Sequence, residues 1–281
     1  MPAGAQMTDT ADFEKMERDG WADPSIAKGY ADAFENATLL VASHLASGVD
    51  AGPGAHVLDL CTGHGVVAAE LKSRGAKVTG LDFSAAMVAL AEEAVPDATF
   101  VQGDAMAMTF EDASFDAVTI GFGVPHLPDQ TKGLAEAARV LKPGGRLAFS
   151  IWRGKGSDGS FGWLFDAVGR LGDPSVTLPA GPDAHMLVDA EVADPMVRQA
   201  GFHNIRLKDV ASTVWIKTPE DLFDVFDQGA VRAASLLGGQ PQDKRAAIRA
   251  DLASRVLKQG TKDRSGYLIA APSVVITATR A

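Results

Sequence analysis

Residues 56–68 read His56-Val57-Leu58-Asp59-Leu60-Cys61-Thr62-Gly63-His64-Gly65-Val66-Val67-Ala68. The apolar run of Val57, Leu58 and Leu60 predicts a short buried strand. Thr62 to Gly65 predict a tight turn, and Val66, Val67, Ala68 and Leu71 the opening of a helix. Gly63 and Gly65 carry no Cβ, so the backbone can turn sharply and a ligand can lie directly against it. In an open α/β sheet, ligands bind beyond the carboxyl ends of the strands, near the point where strand order reverses. This loop is therefore the leading candidate for a ligand seat.

Strands and helices alternate outward from the loop. Strands are expected at 56–60, 77–81, 98–102, 115–120 and 146–152, with helices at 65–73, 84–94 and 131–140 between them. Such alternation predicts a parallel sheet with right-handed crossovers. Upstream, helices are expected near 11–19 and 25–47, after a frayed stretch at residues 1–10. Downstream come a helix near 189–200, a strand near 203–214, and two amphipathic helices between Asp221 and Lys258, broken at Gly238-Gly239-Gln240-Pro241. The β-prone run SVVITATR (273–280) ends the chain as a strand with no helix after it. The resulting division is a helical lid at 1–55, a core at 56–152, a cap insertion at 153–188, and completion of the sheet at 189–281 with a helical insertion at about 217–266.

Composition narrows the function. The chain has 281 residues, 46% of them hydrophobic, which suffices for a substantial core. A net charge of −10 argues against nucleic acid or anionic lipid as a partner. No apolar run approaches the roughly 18 residues of a membrane span, and the acidic first residues lack signal-peptide order. Cys61 stands alone, and the six histidines show no metal-ligand spacing, so no metal is expected. A cytoplasmic protein is the expectation, with oligomeric state left open between monomer and homodimer.

Two cofactors compete for the loop. Gly63-x-Gly65-x-x-Ala68 fits the dinucleotide fingerprint, and Asp82 follows Gly65 at about the spacing expected for a ribose-binding acid. Asp59 shifts the balance. A carboxylate at the loop mouth would repel a pyrophosphate but suit an ammonium or sulfonium group. S-adenosylmethionine (SAM) offers both cations, no phosphate, and a ribose whose two hydroxyls Asp82 could accept.

Four segments in order resemble the motifs of class I SAM-dependent methyltransferases: VLDLCTGHG (57–65), VTGLDFSAAMVALA (78–91), GDAMAMTFEDASFDAVTIGFGVPHLPD (103–129) and LAEAARVLKPGGRLAFSIW (134–152). Within that family, TIGFGVPHLPD resembles the ubiquinone and menaquinone biosynthesis group. Cys61-Thr62 stands where Gly-Cys is commoner. The resemblance implies an α/β, Rossmann-like, seven-stranded and mostly parallel sheet with an antiparallel last strand and a helical cap. It further implies a cofactor site of Asp59, Thr62, Gly63 and Gly65 from the first loop, Asp82 and Phe83 from the second strand, and Asp104, Ala105 and Met106 around the adenine. Gly121 would offer its carbonyl to the ammonium group, and Tyr30 would close over the cofactor from the N-terminal helix.

A small-molecule methyl acceptor follows from this reading. His126, just past the fourth strand, suits a general base because an imidazole titrates near neutral pH. His185 is a weaker candidate, and His64 could touch the methionine end. Phe161, Trp163, Phe165, Trp215, Phe223 and Phe226, outside the motif core, suggest an apolar or aromatic acceptor. The rivals are an NAD(P)-dependent oxidoreductase and a SAM-binding protein of this fold that does not methylate.

Overall fold

The computed structural model describes residues 10–281. The stretch expected to fray at 1–10 therefore lies, apart from Thr10, outside the described residues. Two helices open the chain, α1 (Ala11–Ala22) and α2 (Pro24–Gly48). They are separated only at Asp23, which caps α2 by accepting from the Ser25 N–H at 2.8 Å, with Pro24 pre-set in the first turn.

The core then alternates as the apolar spacing predicts: β1 (His56–Leu60), α3 (Val66–Ser73), β2 (Lys77–Asp82), α4 (Ala85–Ala94), β3 (Thr99–Gln102), β4 (Phe115–Ile120), α5 (Gln130–Val140) and β5 (Leu141–Trp152). After it come α6 (Ser160–Leu171), α7 (Ala190–Gln199), β6 (Phe202–Val210), β7 (Thr213–Ile216), α8 (Asp221–Gly229), α9 (Val231–Gly238), α10 (Gln242–Gln259), β8 (Thr261–Asp263), β9 (Gly266–Ala270) and β10 (Ser273–Arg280). The large sheet has seven strands in the order β3-β2-β1-β4-β5-β10-β6. Strands β1 to β5 pair in parallel, and β10 inserts antiparallel between β5 and β6. This is the expected Rossmann-like sheet with its reversed last strand.

Both faces of the sheet are covered, so central strands are apolar on both sides. Val57 packs on one face with Phe34, Val41 and Leu45 of α2 and Leu71 of α3. Its neighbour Leu58 packs on the other with Leu134 of α5 and Val197 of α7. That alternation directs Asp59 to the same face as Val57.

Two departures from the sequence reading lie in the C-terminal part. The expected strand at 203–214 is two strands in different sheets. Ser212, fully buried between them, donates its hydroxyl to the Ala271 carbonyl at 2.6 Å and accepts the Ala271 N–H at 2.8 Å. At that clasp the paired chains leave the large sheet together and become β7 and β9 of a three-stranded sheet ordered β7-β9-β8. The cap thus contains a small sheet as well as helices. The two helices expected between 221 and 258 are three, because Ala230 is extended (φ −144°, ψ 109°) and separates α8 from α9. No helix among the described residues is long and apolar enough to cross a membrane.

The break at Ala230 serves a close helix crossing. A Cβ built on Gly29 of α2 would lie 2.3 Å from the Gln228 carbonyl oxygen of α8, and one on Gly229 would lie 3.1 Å from the Gly29 carbonyl oxygen. Gly29→Ala should therefore destabilise the protein by about 1–3 kcal/mol, although alanine is the better helix former by roughly 1 kcal/mol. Urea unfolding of the variant measures it.

Candidate cofactor site

A cavity of about 830 Å³, counting its open mouth, lies beyond the carboxyl ends of β1, β2 and β4. A smaller one of about 360 Å³ adjoins it and shares Tyr30, Cys61, Gly63, Gly121 and Phe122. Together they fall in the size range of small-molecule sites. Their floor is the glycine loop. Gly63 sits at φ +55°, and a Cβ there would meet nothing within 4 Å, so its backbone faces open space. Its N–H donates to Asp82 Oδ2 at 2.9 Å. The other carboxylate oxygen, Oδ1, accepts the Ser84 N–H at 2.9 Å. Asp82 is thereby fixed at the end of β2, lining the larger cavity, with a lone pair remaining on each oxygen. Burial pushes its pKa up, and the N–H groups of Ser84 and Gly63 and the nearby His126 oppose that rise.

Asp104, Ala105, Phe83, Gly121 and Tyr30 also line the larger cavity. Met106 lines it too, but its N–H is already donated to Asp104 Oδ1 at 2.8 Å and is not free for a ligand. The charged lining is Glu14, Glu17, Asp82 and Asp104 against Arg18 alone. Arg18 is itself held by Glu14 at 2.9 Å. That excess of carboxylates suits a cationic ligand with ribose hydroxyls and opposes a pyrophosphate.

Three expected loop residues lie away from the larger cavity. Asp59 does not stand at the mouth. It is completely buried beneath the loop and lines neither cavity, accepting the Thr62 hydroxyl at 2.6 Å and the Thr119 hydroxyl at 2.8 Å. Burial raises its pKa to about 6, against those hydrogen bonds. Thr62 spends its hydroxyl on Asp59 and borders only the smaller cavity. Gly65 lines neither; at φ +87°, a Cβ there would stand 3.2 Å from Ala91, so this glycine serves the packing of α3 on α4.

The histidines separate clearly. His64 lines the smaller cavity, its Nε2 buried without a hydrogen-bond partner, and burial pushes its pKa down to about 4. His185 lines neither cavity; its Nδ1 is bonded to the Trp152 carbonyl at 2.7 Å. His126 lines the larger cavity beside Asp82 and is the one candidate base that faces it. The cap aromatics expected against a substrate line neither cavity. Phe161, Trp163, Phe223 and Phe226 are buried against one another and α2, whereas Phe122, stacked on Trp152 at 3.7 Å, does reach both.

Sequence reasoning passed over Glu17. Only 2% exposed, it sits on α1 between Phe13 and Trp21, on the stripe that roofs the larger cavity. Its carboxylate accepts from Trp21 Nε1 at 3.0 Å, His126 Nδ1 at 2.8 Å and Arg232 Nε at 2.6 Å. Burial works to raise its pKa, but the charges and hydrogen bonds of His126 and Arg232 outweigh burial and bring it below the usual value. A signal was present: at positions 13, 17 and 21 the residues Phe, Glu and Trp share one helical face, and the acid breaks an otherwise apolar stripe.

A strand-order reversal, a glycine loop and an acid at the end of β2 are common to Rossmann-like nucleoside sites; the antiparallel β10 is what the resemblance to class I methyltransferases implies in addition. Residues 58–149 match the family described as "Methyltransferase domain". Over 97 residues the chain is 48% identical to a demethylmenaquinone methyltransferase of Beutenbergia cavernae, covering 34% of this chain and 40% of the relative. The chain thus spans about two fifths of the length of the curated relatives it matches. Among solved structures, a Bacillus halodurans protein superposes with a TM-score of 0.54 at 22% identity, covering 85% of this chain and 97% of that one. Haemonchus contortus phosphoethanolamine N-methyltransferase 2, solved with SAM, gives 0.58 at 18% identity, covering 100% and 61%.

Two outcomes test the site. Asp82→Asn removes the charge that ribose hydroxyls would meet, so affinity for S-adenosylhomocysteine should fall by about 1.5–3 kcal/mol, measured by calorimetry. Asp59 has a raised pKa, so the unfolded chain loses its proton first as pH rises. Wild-type stability should accordingly fall by up to about 3 kcal/mol between roughly pH 4 and pH 6, relative to Asp59→Asn. Urea unfolding of both proteins across that range gives the difference.

Proposed function

We propose that the protein transfers the methyl group of SAM to a small apolar or aromatic acceptor, quinol-like in character. The observation that carries this reading is the acid-lined cavity over Gly63, with the Asp82 carboxylate pinned toward it. The likeness to demethylmenaquinone methyltransferases over the same segment supports an aromatic acceptor. So does the smaller cavity, lined by Val41, Leu45, Val66, Val67 and Phe122. An NAD(P) enzyme would need a wall that tolerates pyrophosphate, and this one is carboxylate-rich.

Tyr30, Gly63, Asp82, Phe83, Asp104, Ala105 and Gly121 would hold the cofactor. When bound, it supplies an electrophilic methyl on a good leaving group. The chain then has to align the acceptor, exclude water and remove a proton where the acceptor is a neutral hydroxyl. His126 Nε2 is the proton acceptor in this reading. Helices α1 and α2 would form the cover that excludes water, through Glu14, Glu17, Trp21 and Tyr30; the segments 153–188 and 217–266 line neither cavity.

Incubation with methyl-labelled SAM and a panel of quinols, phenols and amines tests the reading. Label should move to an aromatic acceptor. Tight SAM binding with no transfer to any of them would favour the non-methylating alternative. In the active pair, His126→Ala should lower kcat by about 10²–10⁴ with nearly unchanged cofactor affinity. Wild-type turnover in that variant would remove His126 as the base.

A further inference from the structure

The roof of the cofactor cavity pairs a buried carboxylate with a half-buried imidazole from a separate element. Glu17 belongs to α1 and His126 to the short turn after β4. All three protein partners of the Glu17 carboxylate are N–H groups: the Trp21 indole, the Arg232 guanidinium and His126 Nδ1. An ionised carboxylate only accepts, so Nδ1 of His126 carries a proton. Its other nitrogen, Nε2, has no hydrogen-bond partner among the described residues, on a ring that lines the cavity. The ring is also held in orientation, with Trp21 edge-on at 5.2 Å.

Arg232 completes the arrangement from behind. Its guanidinium donates to Glu17, to the Pro182 carbonyl at 3.0 Å and to the carbonyl of Pro125, the residue preceding His126. It also lies over the Phe13 ring at 4.5 Å. Removing Glu17 would leave both a guanidinium and an imidazole without their anion, a costly change at a buried site.

We propose that Glu17 is a positioning residue that holds His126 in the tautomer with Nδ1 protonated, so that Nε2 presents its lone pair to the methyl acceptor. The inference rests on the methyl-transfer reading above. In the step, the acceptor's O–H bond breaks and its proton joins His126 Nε2, while the freed oxygen lone pair forms the bond to the methyl carbon. The electrons of the S–CH₃ bond go to sulfur, the charge of the sulfonium is lost, and Glu17 balances the imidazolium that results. Lone carboxylates orient catalytic imidazoles in this way on unrelated folds.

The charged and titratable groups around His126 are Glu17 on α1, Arg232 on α9 behind it, Asp82 at the end of β2 and His185 in the cap. Of these only Glu17 bonds the ring, so Glu17→Gln should move the imidazole most.

The test reads the tautomer directly, in full-length protein labelled with ¹⁵N-histidine. The His126 signals are assigned by their loss in His126→Gln. Long-range ¹H–¹⁵N correlation should show a protonated Nδ1 and a bare Nε2 in the neutral ring. In Glu17→Gln that preference should disappear. Trp21→Phe removes another Glu17 partner while keeping the carboxylate, so it should loosen α1 without changing the tautomer. A wild-type ring protonated on Nε2, or an unchanged ring in Glu17→Gln, would overturn the proposal. Equal shifts in Trp21→Phe would also overturn it, by reducing Glu17 to a general brace. Turnover separates this from the parent reading. Loss of kcat in His126→Gln with no spectral change in Glu17→Gln overturns the positioning role alone. A shifted tautomer with full turnover in both variants overturns His126 as the base.

Discussion

The site depends on an acid where an acid is expensive. Asp59 is buried under the glycine loop at the end of β1, with one oxygen on Thr62 of the loop and the other on Thr119 of β4. These two bonds tie the loop to β1 and β4, the two strands between which the ligand crevice opens. The loop is also held from β2, through the Thr62 N–H on the Leu81 carbonyl at 3.0 Å and Gly63 on Asp82. With both sides fixed, the backbone has little freedom left. Gly63 is forced to positive φ, and Cys61 adopts φ +55°, a conformation costly for any residue with a side chain. The loop is thus held in shape before any ligand arrives, which is what a binding surface made of backbone requires.

The cost of Asp59 is real at neutral pH. Ionising a carboxyl whose pKa has risen to about 6 forfeits about 3 kcal/mol of stability relative to the unfolded chain. Asparagine could accept only one of the two hydroxyls, and a hydrophobic residue neither. The carboxylate is retained where both hydroxyls must be held at once, and its charge adds to the negative potential of the cavity above it.

Legibility in the sequence followed the range of the forces involved. The strands and helices of the core were readable because their apolar spacing is local and both faces of the sheet are buried. That Asp82, Gly63 and Asp104 line the larger cavity was readable because motif order places them at strand ends, where topology allows few positions. Asp59 was misplaced because spacing gives its distance along the chain and not the face it takes; the alternation of Val57 and Leu58 sends it beneath the loop. The sheet change at Ser212 was hidden for a different reason. It depends on a hydroxyl meeting Ala271, 59 residues away, and no local pattern announces such a contact. The aromatic cap residues misled because burial in a core and burial against a ligand favour the same side chains.

Glu17 joins these lines of argument, because it is legible locally and meaningful only globally. An acid on the apolar stripe of α1 is unfavourable unless it meets donors, and the donors come from the turn after β4 and from α9. The roof over the cofactor cavity is therefore held by polar contacts between three segments far apart in the chain, beside an apolar cluster of Trp21, Met87 and Val231. Polar contacts of that kind specify one geometry strongly while contributing little net stability, since each charge has lost its hydration to make them. A roof built this way suits a site that must admit a cofactor and then exclude water. The Ser84 hydroxyl, which donates to the Trp21 carbonyl at 2.6 Å, sits at the end of α1 and at the start of α4, next to Asp82. It ties the roof to the floor of the cavity beside Asp82.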